Sequence, residues 1–382
     1  MKNIPFNKPF LTGHEQINIQ KIIKSRILSG DGDFTKKCES RLENFLNVNN
    51  VLLVNSCTAA LEMSALILDI KAGDEIIMPS FTFVSSANAF VLRGGIPVFV
   101  DIRIDTLNID EDKIENAITK KTKAILLVHY AGVACEMTKI LSIAKKYNLS
   151  IIEDSAHAIG SKYNDKFLGT FGDLGTLSFH ETKNIISGEG GALLINNKLF
   201  INKAEIIREK GTNRKLFFEG KVDKYNWKGL GSSYLTNEIT AAFLLAQLDY
   251  IKFISIERLK IWKIYYSLFE AYENEGILRR PIIPKETSHN AHLFYILLPN
   301  GINREFVIKY CKKRNVDVLF HYIPLHDSPA GKIFSRVFEN MNITNWVAKH
   351  ILRVPFWIGL KYEEQLYVVK TINKAIKESL KK

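Results

Sequence analysis

Four cysteines in 382 residues are too few to staple a fold, and Cys38, Cys57, Cys135 and Cys311 stand far apart with no C-x-x-C pair. That scatter argues against a disulfide framework and a cysteine-based zinc site, and the four read as free thiols, buried or partly buried. No apolar run approaches the roughly 20 residues that cross a bilayer; Ala124–Val128 is representative of the runs present. The opening stretch, residues 1–7, lacks the apolar core of a secretory signal, so the chain is expected to be cytoplasmic, with no membrane partner. Acidic residues are also in deficit: 40 Asp and Glu against 52 Lys and Arg leave a formal net charge of +12. The basic residues fall in short clusters such as Lys120-Lys121 and Lys312-Lys313-Arg314, not in one tract. Such clusters suit solvated helix faces, and the overall balance suits small anionic ligands better than a nucleic acid.

With 46% hydrophobic and 24% charged residues, the composition is that of an ordinary globular protein. Short β-branched runs at 51–54, 75–78, 98–100, 124–128 and 150–153 read as buried strands separated by segments long enough for crossover helices. Uniformly apolar strands with such crossovers predict an α/β fold with a mostly parallel sheet. From Asn237 to about Tyr272 the pattern is helical. Beyond it, strands are predicted at 293–298 and 316–320, with helices at 304–314, 343–352 and 362–380. This divides the chain into a large domain, 1–250, and a smaller C-terminal α/β domain, 251–382. No internal repeat and no Pro/Gly/Ser linker separates them.

Ligands of open α/β sheets bind beyond the carboxyl ends of the strands, so chemistry is sought there. The first strand runs into Asn55-Ser-Cys-Thr-Ala-Ala60, either a plain N-cap at Ser56 or Thr58 or an anion site at a helix N-terminus. The strand at 150–153 ends in Asp154, Ser155, Ala156 and His157, where a carboxylate and an imidazole either cap the next turn or face a heterocycle. Another short strand, 176–179, leads to Lys183, a candidate Schiff-base amine. Singly each signal is weak. Together, anion turn, Asp154, Ser178 and Lys183 answer the phosphate, ring nitrogen and aldehyde of pyridoxal 5'-phosphate. A nicotinamide enzyme would need G-x-G-x-x-G after a strand; Gly188-Glu-Gly-Gly191 instead precedes one.

Those residues stand within longer strings: Gly73–Pro79, Asn108–Asp110, Glu153–Ala156, Ser178–Lys183 and Gly188–Gly191. In them the chain resembles, over essentially its whole length, the sugar-nucleotide aminotransferases of the DegT/DnrJ/StrS family, within the fold type I pyridoxal phosphate enzymes. Ser29–Gly32, Ser56–Thr58, Val128–Cys135, His180–Asn184, Glu209–Arg214 and His321–His326 are similar to one branch, the dTDP-4-amino-4,6-dideoxygalactose transaminases. Where many members carry G-x-N-x-R, this chain has Gly231-Ser-Ser-Tyr-Leu235, as that branch does.

The resemblance implies that Lys183 bonds to the cofactor aldehyde and Asp154 pairs with the ring nitrogen. It further implies that Phe81 stacks on the ring and His157 lies beside its O3′. Thr58, Ala59 and Ser178 are expected on the phosphate, and Ser233 adds to it from a second subunit of a homodimer with shared sites. His180 and His326 are candidates for holding sugar or pyrophosphate. A lysine at 183, where related dehydratases carry histidine, implies a transaminase. The implied reaction moves the amino group of L-glutamate to C4 of dTDP-4-keto-6-deoxy-D-glucose. Its product would be dTDP-4-amino-4,6-dideoxy-D-galactose, for an enterobacterial common antigen or O-antigen type polysaccharide. The gluco epimer or a 3-amino sugar is the alternative product.

Overall fold

The apolar runs become strands that are buried over nearly their whole length: β1 (Val51–Val54), β2 (Glu75–Pro79), β3 (Ile96–Val100), β4 (Thr122–Val128) and β5 (Ser150–Asp154). They follow one another through helices Cys57–Ile67, Val84–Val91, Glu111–Ala117 and Met137–Tyr147. A small hairpin, β6 (Lys162–Tyr163) and β7 (Lys166–Phe167), then precedes β8 (Leu174–Ser178) and β9 (Gly191–Ile195). The remaining strands are short: β10 (Thr287–Ser288), β11 (Tyr295–Leu297), β12 (Arg336–Val337) and β13 (Ile351–Arg353). These elements come from a computed structural model that describes residues 3–381.

The main sheet has eight strands in the order β1-β9-β8-β5-β4-β2-β3-β12. Every pairing is parallel except the two made by β9, which runs antiparallel to both β1 and β8. Since β9 reverses twice, β1 still points the same way as β8, and their carboxyl ends share one edge of the sheet. The continuous apolar runs follow from double coverage. Ile76, Met78, Leu126 and Ile152 pack with the helix Cys57–Ile67 through Ala60 and Leu61, whereas Ile77, Ile125, Leu127 and Ile151 pack with Ile140 and Ile143 of the helix Met137–Tyr147. Alternate side chains therefore face opposite helical layers, both dry.

Several hallmark strings earn their place by packing. Glu153 is fully buried and accepts hydrogen bonds from the amides of Gly169, Phe171 and Gly172, and it meets His129 Nε2 at 2.9 Å. Asn108 donates to the carbonyls of Val133 and Ala134 and accepts from the Tyr130 amide. A side chain at Gly30 would stand 2.0 Å from the carbonyl oxygen of Thr236, and one at Gly191 2.3 Å from the Ser56 carbonyl carbon. Both glycines are needed for close backbone approach.

Past Asn237, which caps the helix Glu238–Asp249, a bend of 62° leads into the helix Ile251–Leu268. Among the described residues no single helix is long and apolar enough to cross a membrane; this bent pair passes only when taken together, and its Ala241, Leu244, Ile254 and Trp262 are buried in the core. Beyond it, Ile261, Tyr265, Phe294, Val307, Leu352 and Ile372 form a further core, joined by Ile4. The predicted strand at 316–320 is reduced to two isolated bridges, Ile4 with Val316 and Leu319 with Arg353. The predicted helix 343–352 ends at His350, because Ile351–Arg353 pair antiparallel with β11. Two C-terminal strands also reach back: β12 extends the main sheet beside β3, and β10 pairs with β6.

Candidate active site

At the centre of the sheet β4, β5 and β8 lie side by side, with Asp154 in register with Val128 and Thr176. The carboxyl ends of β1, β5 and β8 open into one cavity of about 600 Å³. Thr58, Asp154, His157, Ser178, His180 and Lys183 all line it.

Asp154 is 6% exposed, yet it has no ion pair among the described residues. Its Oδ2 accepts from Ser86 Oγ at 2.7 Å and its Oδ1 from the Ala156 amide at 3.1 Å. A buried carboxylate held by two neutral donors has room for a cation in direct contact, and a protonated ring nitrogen fits that place. Lys183 follows a tight turn closed by its own amide on the His180 carbonyl at 2.9 Å. Burial makes its amine less basic than usual; the Arg353 charge adds to this, and Asp154 pulls the other way.

Of the two things the sequence allowed at this turn, the N-cap is formed. Ser56 caps the helix Cys57–Ile67 by accepting from the Ala59 amide at 3.0 Å. That uses up the amide of Ala59, which does not line the cavity. The amides of Cys57 and Thr58 belong to the first turn and have no helical acceptor, and Thr58 Oγ1 meets Ser85 Oγ at 2.8 Å beside them. These groups, with Ser178, can hold a phosphate.

Phe81 is 1% exposed and absent from the cavity wall; its ring packs edge-on against Tyr322 and tilted on Tyr130. Phe83, two residues on and 57% exposed, lines the cavity instead. His326 is likewise outside, with Nδ1 2.7 Å from Ser80 Oγ behind the end of β2. Ser233 sits in an adjoining cavity with Asn55, Lys210 and Arg214; Glu189 lines both spaces. His180 stands at the mouth, its Nδ1 2.9 Å from Thr182 Oγ1.

The C-terminal part supplies groups that motif reading did not single out for this site: Arg258, His292, Tyr322 and Arg353. His321, read only as part of a branch string, lines it too. His157 and His292 stack at 4.1 Å, and His321 stacks on Tyr322 at 3.8 Å. The Ala131 amide donates to His157 Nδ1 at 3.4 Å, so its Nε2 carries the proton toward the Tyr322 hydroxyl at 3.3 Å.

Burial, reinforced by the charge of Lys183 at all three, of Arg353 at His157 and His321 and of Arg258 at His292, holds the imidazoles neutral, well below the usual range. A folded-state pKa below the unfolded value of about 6.5 means that the unfolded chain takes up the proton first. The contribution is complete above pH 6.5 and is lost as pH falls. Each imidazole costs up to about 2 kcal/mol between pH 7 and 5. Urea midpoints should therefore drop steeply over that interval, and His292→Asn should remove one imidazole's share of the slope. An unchanged slope would contradict the assignment.

With this geometry in place, the DegT/DnrJ/EryC1/StrS aminotransferase family model matches residues 10–373. MJ1066 of Methanocaldococcus jannaschii is 36% identical over 375 residues, 96% of each chain. GDP-perosamine synthase of Escherichia coli O157:H7 is 32% identical over 382 residues, 98% of each. The PMP form of Spr1654 from Streptococcus pneumoniae superposes with a TM-score of 0.91 at 26% identity, over 99% of this chain and 100% of that one; a PLP form matches as well.

Proposed function

The chain belongs to the DegT/DnrJ/EryC1/StrS aminotransferase family and is a sugar aminotransferase working with pyridoxal phosphate, and on that premise we propose its reaction. L-Glutamate gives its amino group to C4 of a nucleoside-diphosphate-linked 4-keto-6-deoxyhexose, dTDP-4-keto-6-deoxy-D-glucose in the first instance. 2-Oxoglutarate leaves, and C4 exchanges its carbonyl oxygen for nitrogen. The observation that carries this reading is the pairing of Lys183, its amine made less basic by burial, with the cation-free carboxylate of Asp154 in one cavity.

Bound pyridoxal phosphate supplies an aldehyde that takes an amine and a ring that draws off the electron pair left when carbon loses a proton. The chain's own groups do the rest. Lys183 Nζ accepts the proton from Cα of glutamate and later delivers one to C4 from a single face. Asp154 keeps the proton on the ring nitrogen. Thr58, the free amides of the first turn and Ser178 hold the phosphate, and Phe83 takes the stacking place expected of Phe81. Residues 1–250 form the cofactor domain in this reading, and 251–382 bring His321, Tyr322 and Arg353 over it.

A second copy of the chain is proposed to cover the face around Ser233. Phe218, which lines that cavity with Ser233, and Trp227 and Leu230 in the segment before Ser233 are 68%, 81% and 60% exposed, the kind of side chain a partner surface would cover.

The dTDP choice rests on the branch strings. A GDP-linked keto sugar is the second reading, favoured by the relative named GDP-perosamine synthase. Incubation with glutamate and each keto sugar, followed by NMR of the product, separates them. We expect a 4-amino sugar with dTDP as carrier; turnover only with the GDP substrate moves the assignment, and a 3-amino product from either rejects it.

A further inference from the structure

Arg258 and Arg353 both line the cavity that contains Lys183, and neither pairs with a carboxylate among the described residues. Both are nevertheless rigidly held. Arg353 donates from Nε and Nη2 to the Phe320 carbonyl at 3.1 and 2.9 Å, and Arg258 from Nε to Ala291 O at 3.0 Å and from Nη2 to His292 O at 2.5 Å. Each guanidinium lies over a phenyl ring, Arg353 on Phe6 at 4.8 Å and Arg258 on Phe356 at 4.7 Å. The two platforms are themselves joined, since the Phe356 amide donates to the Phe6 carbonyl at 3.1 Å. The Nη1 group of each arginine is left with no acceptor among the described residues. Two fixed cations, Arg258 buried and Arg353 half-buried, with spare donors and no counter-ion make a receptor for a dianion.

We propose that Arg353 and Arg258 receive the two carboxylates of the glutamate donor. This rests on the transaminase reading above. The α-carboxylate is bonded to the carbon whose proton Lys183 takes, so its receptor must stand close to that amine. Both guanidiniums line the cavity that holds that amine. A sugar diphosphate is attached at C1, across the ring from the reacting C4, and belongs farther from Lys183.

The donor half-reaction is followed by cofactor absorbance with glutamate alone. Arg353→Gln should raise KM for glutamate about 10- to 100-fold, the worth of a charge-assisted hydrogen bond. Arg353→Lys should recover part of this. With amine-loaded enzyme, KM for the sugar nucleotide should rise less than KM for glutamate does, whatever the change in kcat that follows from removing a charge near Lys183. Glutarate, which has two carboxylates and no amine, should bind the wild-type holoenzyme by calorimetry and weaken about 10-fold in either Arg353→Gln or Arg258→Gln. If Arg258→Gln does not fold, the glutarate titration of Arg353→Gln decides alone. A rise in KM for the sugar nucleotide with glutamate unaffected would assign the arginines to the diphosphate and overturn the proposal. So would unchanged glutarate binding in variants with native thermal midpoints. A wild-type holoenzyme that binds glutarate but transfers no amine from any amino acid would instead refute the transaminase reading.

Discussion

Lys183→Ala should transfer amine from glutamate at least about 10⁴-fold more slowly than the parent chain, because one side chain both attaches the cofactor and moves the protons. Borohydride followed by peptide mass analysis should fix the cofactor on Lys183 in the parent and nowhere in the variant. The variant should not be less stable without cofactor. Burial disfavours the protonated amine, so its removal relieves a cost in the folded state at neutral pH, and the thermal midpoint of the cofactor-free variant should match or exceed that of the parent. Near-normal transfer by Lys183→Ala would remove the basis of the proposed mechanism. A lowered midpoint would mean that the loss reports misfolding.

The legible parts of this site are those presented directly at strand ends. Asp154 and Ser178 close adjacent strands with double-sided apolar runs, so strand assignment alone places them on one edge of the sheet. Phe81 and Phe83 could not be told apart in this way. Both follow β2, and which of them faces the cavity depends on how residues 80–83 turn into the helix Val84–Val91 while Ser80 is tied to His326. His326 itself was drawn off by that tie, a contact 246 residues away in sequence.

Arg353 was hidden for a related reason. Its stretch reads equally well as the end of a helix, and only pairing with β11 and Leu319 turns it into a strand that places Arg353 in the cavity wall. Residues brought in by such long-range pairing carry no local periodicity, so motif reading recovers the strand-end residues of the cavity and misses those that the C-terminal part contributes. The antiparallel insertion of β9 was equally unreadable. Its apolar run, Gly191–Ile195, is buried on both faces just as a parallel strand would be.

Asp154→Asn should act with opposite signs in the two states of the protein. In the cofactor-free chain Asp154 is a buried carboxylate satisfied only by Ser86 and the Ala156 amide. Its neutral isostere keeps the shape and relieves the desolvation cost, so the thermal midpoint should hold or rise. In the loaded enzyme, on the proposed mechanism, the same change removes the anion that keeps the ring nitrogen protonated. Breaking one side of a buried charge pair costs about 3–5 kcal/mol, which corresponds to roughly 10²- to 10⁴-fold. That loss should fall on single-turnover amine transfer from glutamate and on cofactor affinity measured by absorbance titration. Asp154→Glu should recover only part of the rate, because the longer side chain displaces the carboxylate from Ser86. If Asp154→Asn instead lowers the midpoint of the cofactor-free protein and leaves the transfer rate within 10-fold, Asp154 serves as a structural cap on its own turn, and the ring nitrogen must find its partner elsewhere.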